Sequence, residues 1–208
     1  MSPLKLYRSK DAAKAVDPLQ SKSLTGKFPV LETPEGYTLF EATSIAKYFA
    51  RQRHGFYGHN DFESKSLIIT DASIASSIDQ WIDYVNSTVA PLSQTLSNQI
   101  FGHDQTADMR TFSIALNQLK KTLIPVEKHL QLRNFLVGYS LTLADLSLVV
   151  TLLTPLQTIL DKTFRKDTIP NLTRYCTLIL QGKAFLEVFG HVHFSKKALQ
   201  PAISKKEE

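Results

Sequence analysis

Cysteine, tryptophan and methionine are scarce in this chain, at one, one and two among 208 residues. The lone thiol, Cys176, cannot close an internal disulfide or build a cysteine metal cluster, so neither staple holds the fold. It lies between Tyr175 and Thr177, ahead of Leu178, Ile179 and Leu180, a setting that suits a buried packing residue rather than a reactive one. Long apolar runs are also missing. The longest, around Leu146 to Leu153, is bounded by Asp145 and Thr154 and reads as a core helix, not a bilayer span. Arg8 and Lys10 follow Leu6 too soon for a secretory apolar region, so the chain is expected in the cytoplasm and away from membranes. Glycine-rich phosphate loops, a hydrolase elbow, a zincin helix and paired-cysteine motifs are absent. His191 and His193 have no acid or cysteine beside them and read as a solvated segment, so no metal is expected.

The residues present can bury a sizeable core, since 43% are apolar. The net charge of +5 is uneven, with basic residues concentrated before Phe28 and again at Lys196, Lys197, Lys205 and Lys206. Aromatic residues are not interleaved with them, so this reads as a solvated basic face; weak contact with RNA or the ribosome is the alternative.

Along the chain, Leu4 to Tyr7 alternates apolar and polar residues, as a short strand does. Ser9 to Lys27 shows no second strand. Phe28 to Leu31 and Thr38 to Phe40 flank the turn Glu32-Thr33-Pro34-Glu35-Gly36, which predicts a hairpin feeding a helix over Glu41 to Arg51. The polar stretch Gln52 to Glu63 marks a boundary. Beyond it the pattern is helical. Ile74, Ile78, Trp81, Ile82 and Val85 form one core stripe, and Phe112, Leu116, Leu119 and Leu123 another, with Pro125 expected to kink or end the second helix. Thr142-Leu143-Ala144-Asp145 has the form of a capping box, each partner contributing about 1 kcal/mol.

Together these motifs carry a resemblance. Phe28-Pro29-Val30-Leu31, the Pro-Glu-Gly turn, Phe40-Glu41 and the helix from Ala42 resemble the second half of the thioredoxin-like domain of glutathione transferases. Asp79 to Asp83, Phe135-Leu136-Val137-Gly138 and Leu141 to Asp145 resemble the helical domain of that family. Within it, Glu32 to Gly36, Phe164-Arg165, Pro170 to Tyr175 and Phe185 to Val192 are most similar to the transferase-like domains of elongation factor 1 gamma subunits.

The resemblance implies a glutathione-transferase fold, α/β plus all-α. A shortened thioredoxin-like lobe would span residues 1–55, an all-helical lobe 64–195, and a charged tail or linker start 196–208. It implies a cis bond at Pro29 and a vestigial glutathione site at Phe28, Pro29 and Glu41. The family's Glu-Ser pair is here Glu41-Ala42, which removes a carboxylate-binding hydroxyl and argues against catalysis. The expected function is then a non-catalytic scaffold that docks the exchange-factor subunit of elongation factor 1, with Phe164 and Arg165 at the partner surface and a homodimer left open. A divergent glutathione transferase and a docking domain of an aminoacyl-tRNA synthetase assembly are the alternatives.

Overall fold

In the computed structural model of the chain, residues 5–7, 25–53, 55–58, 68–102 and 108–201 are described, 5–7 and 68–71 by backbone alone. The chain divides into two units, residues 1–65 and 66–208.

In the first unit, strands β1 (Lys5–Tyr7), β2 (Val30–Glu32) and β3 (Thr38–Phe40) form an antiparallel sheet in that order. Thr33 closes the hairpin. Its amide donates to the Tyr37 carbonyl at 2.9 Å, and its carbonyl and Oγ1 accept from the amides of Gly36 and Tyr37. Gly36 sits at φ +88°, where a side chain would be strained. The Phe28–Pro29 bond is cis, as expected. Helix α1 (Ala42–Arg51) follows β3 and buries Ile45 and Ala50, while the sheet buries Val30 and Leu31. Tyr57 is buried too, with the Arg51 guanidinium 4.9 Å from its ring centroid. The segment expected to lack a strand falls, as far as residue 24, outside the described residues.

The second unit is helical: α2 (Ile68–Tyr84), a π-helical turn (Val85–Val89), α3 (Ala90–Ile100), α4 (Met109–Leu130), α5 (Leu143–Thr158), α6 (Lys162–Asp167), α7 (Pro170–Leu180) and α8 (Lys183–Phe189). Helix α5 packs against α2, α3 and α7, and buries Leu148, Val149, Leu152 and Leu156 completely. Complete burial of a leucine is worth about 1.5–3 kcal/mol, so α5 is the centre of this core. The two predicted stripes face inward, with Ile78, Ile82, Val85, Phe112, Leu119 and Leu123 buried and Ile74, Trp81 and Leu116 partly so.

Prolines within these helices are accommodated in more than one way. Pro91 follows the π turn, in which the Ala90 amide reaches the Val85 carbonyl, five residues back. The widened turn relieves the contact between a proline ring and the carbonyl four residues before it. Pro125 does not end its helix: α4 runs on to Leu130. Close to the proline, the Thr122 carbonyl accepts from Tyr84 Oη at 2.7 Å, a tie from a neighbouring helix.

The tail is docked further than expected. The amides of Ser195 and Leu199 donate to the carbonyls of Leu156 and Thr158, at 2.9 and 2.8 Å, and Pro201 is buried. Carbonyls at the end of α5 that helical bonding leaves open hold this segment as far as Leu199.

Candidate functional sites

The hairpin brings the three residues of the expected ligand site together. Val30 pairs with Phe40, so Pro29 and Glu41 lie one step beyond that pair on adjacent strands. Phe28 and Pro29 are half-buried and Glu41 is exposed. Glu41 occupies the N-cap of α1 at φ 67°, an uncommon conformation for a non-glycine residue, and its side chain does not cap the helix. Ala42 begins the helix and is exposed, so this N-terminus offers backbone amides but no hydroxyl at its first residue.

Phe164 and Arg165 lie on α6, which Asp161 starts by accepting from the Phe164 amide at 2.9 Å. Phe164 is half-buried, with Lys120 Nζ 4.7 Å from its ring centroid. Arg165 departs from the expected surface role. It is buried, and its Nη1 donates to the carbonyls of Leu160 and, at 2.7 Å, Ser195, while the guanidinium lies 5.2 Å from the Phe194 ring centroid. Its Nη1 is taken up in tying the tail at Ser195 to the end of the α5 segment at Leu160, and its burial leaves little of it for a partner.

The capping box lies at the heart of the helical unit. Asp145 is completely buried. Its Oδ2 accepts from the amide and Oγ1 of Thr142 at 2.7 and 2.9 Å, and its Oδ1 from the Leu136 amide and Tyr175 Oη at 2.8 Å each. Burial raises the Asp145 carboxyl above the usual carboxylate range although these four donors oppose the shift. Burial, followed by the Asp145 charge, likewise pushes the Tyr175 hydroxyl well up. Cys176 is fully buried and its thiol is pushed up to about 12 by burial, so it is protonated and inert at neutral pH.

Two further ties left no signal in the sequence. The Glu127 carboxylate on α4 accepts from the amides of Asn171 and Leu172, at 3.1 and 2.8 Å, and so caps α7 from another helix. Arg174 returns from α7 to the end of α4, its Nη2 donating to the carbonyls of Leu130 and Arg133 and its Nη1 to Asn134 Oδ1. Among the described residues, no cluster of His, Cys, Asp or Glu could hold a metal ion, and no helix is long and apolar enough to cross a membrane.

Comparison with known proteins places these features. The family description "Glutathione S-transferase, C-terminal domain" matches residues 90–181. The glutathione S-transferase-like protein FUS3 of Gibberella fujikuroi is 33% identical over 175 residues, covering 83% of this chain and 77% of the relative. The chain belongs to the glutathione S-transferase family. Within that family, the probable elongation factor 1-gamma 1 of Arabidopsis thaliana is 33% identical over 191 residues, 88% of this chain. The chain spans 43% of that relative's length. The crystal structure of the GST-like domain of Saccharomyces cerevisiae elongation factor 1-gamma superposes with a TM-score of 0.75 at 18% identity, covering 91% of this chain and 84% of that one. By sequence the chain is similar to elongation factor 1-gamma relatives, over part of their length, as well as to FUS3, and it has the glutathione S-transferase fold.

Proposed function

We propose that this domain docks the nucleotide-exchange subunit of elongation factor 1 in the cytoplasm and does not conjugate glutathione. The observation that carries the reading is the similarity to an elongation factor 1-gamma over 88% of the chain. The local chemistry supports it. At the α1 N-terminus, Ala42 stands where a working site would present a hydroxyl to the glutathione carboxylate. Phe164 is proposed as one partner contact, whereas buried Arg165 supports the surface from beneath. A homodimer, and weak RNA or ribosome contact through the basic tail, are compatible with this role. Titration calorimetry with the purified exchange subunit tests it. A dissociation constant below about 1 μM, or roughly −8 kcal/mol, is expected. No heat and no co-elution would end the docking assignment.

A second reading, residual glutathione chemistry, is favoured by the transferase-like relative of equal identity, 77% of whose length is covered. Conjugation to a generic electrophile is expected to stay far below about 1 per second, and Ala42→Ser alone should not restore it. Turnover at or above that rate would transfer the assignment to an enzyme.

A further inference from the structure

The two most exposed large apolar side chains among the described residues, Leu132 at 93% and Tyr139 at 101%, stand on the same loop between α4 and α5. With Arg133, Asn134, Phe135 and Gly138 they line a groove of about 650 Å³. The fold uses other residues of this loop. Leu136 is buried and its amide donates to Asp145, while its carbonyl accepts from His129 Nε2 at 2.8 Å. Arg174 holds the carbonyls of Leu130 and Arg133 and the Asn134 side chain. The backbone is thus tied at both ends of the groove, while Leu132 and Tyr139 do no packing for the core. Apolar groups held out on a fixed loop meet little ordering cost when a partner covers them.

Charge selects the kind of partner. Between Lys128 and Ala144 the chain has no acidic residue, and Lys128, Arg133 and the incoming Arg174 place three cations here against the Glu127 carboxylate, which is committed to the start of α7. Among the described residues the Arg133 backbone is engaged, its amide donating to the Leu130 carbonyl and its carbonyl accepting from Arg174, while its guanidinium makes no hydrogen bond or ion pair. Tyrosine and arginine beside an apolar residue are the types that dominate interface hot spots, and an unpaired guanidinium favours a carboxylate. We infer that this groove is the docking face for an acidic segment bearing a bulky apolar side chain, the apolar group lying between Leu132 and Tyr139 and a carboxylate meeting Arg133. The inference rests on the docking reading above and assigns that segment to the exchange subunit.

The test uses the full chain as wild type, as Arg133→Glu and as Leu132→Ser/Tyr139→Ser, with Phe164→Ala for comparison. Each is titrated with the purified exchange subunit at low and moderate salt, and sedimentation is run in parallel. Both groove variants should keep the wild-type thermal midpoint and bind at least about tenfold more weakly. Arg133→Glu should also flatten the salt dependence. If wild type binds and both groove variants bind within about twofold of it, the groove is not the docking face, though the docking reading stands. If the variants change only self-association, the groove joins copies of this chain and the inference fails. If wild type does not bind, the docking reading itself falls.

Discussion

The hairpin of the sheet unit closes on itself: Thr33 Oγ1 accepts from the amide of Tyr37, four residues on. In the helical unit, Glu127 accepts from amides 44 and 45 residues away, and Asp145 holds a tyrosine 30 residues away. The first arrangement is local, set by a turn and a strand register. The second joins α4, α5 and α7 through charged or polar groups in low-dielectric surroundings, where a lost partner is costly. Damage to such ties should therefore cost more than damage of equal size elsewhere.

The largest effect is expected at Asp145. Asp145→Ala leaves two amides and two hydroxyls without their acceptor, and should lower stability by about 4 kcal/mol, well above the 1 kcal/mol of an ordinary cap. Trp81, the only tryptophan, lies on α2 and reports the transition by fluorescence in urea. A raised carboxyl makes the folded state the better proton binder. Its stabilising contribution is therefore fully present below the ordinary carboxylate value and is lost as pH rises through the raised one. The gap between wild type and Asp145→Ala should narrow from about pH 4 to pH 7. A gap that widens with pH would show that the donors outweigh burial.

Next in size is Leu31→Ala in the sheet unit. Leu31 is fully buried, and its truncation should cost about 3 kcal/mol, read as faster amide exchange across β2 and β3. A loss equal to that at Asp145 would erase the contrast between the units. Arg165→Ala should cost about 2 kcal/mol by leaving the Leu160 and Ser195 carbonyls unpaired, and should speed tryptic cleavage at Lys196 and Lys197. Cleavage at the wild-type rate would mean that the backbone bonds to α5 suffice to hold the tail. Smallest is Thr142→Ala, at about 1 kcal/mol, and it should be non-additive with Asp145→Ala because the two share one box.

What could be read from the sequence divides along the same line. The hairpin and the Thr142–Asp145 box each occupy a few consecutive residues, so local chemistry specifies them, whereas the cis bond at Pro29 was expected from the family resemblance. Arg165 misled because Lys162-Thr163-Phe164-Arg165-Lys166 has the composition of a surface, whereas the acceptors that bury it lie at Leu160 and Ser195. Glu127 and Arg174 look like solvated charges on their helices, and only the packing of α4 on α7 gives them partners. Of the two outcomes expected at Pro125, a kink or an end, the helix does not end there but continues to Leu130. The adjacency of Pro29 and Glu41 was legible, because a strand register follows from its turn.

The widened turn before Pro91 also constrains how this chain can change by descent. Val85–Val89 holds one residue more than an α-helix of the same span needs. Losing exposed Asn86 or Ser87 alone would restore ordinary winding and drive the Pro91 ring against a carbonyl, at a cost of about 3 kcal/mol. Once Pro91 is replaced, the same deletion is accommodated, and Leu96 and Ile100 keep facing the core. A deletion at any regular turn of α2 would instead swing everything after it by about 100°. The two changes are thus epistatic and ordered: the proline must be lost before the surplus residue can follow.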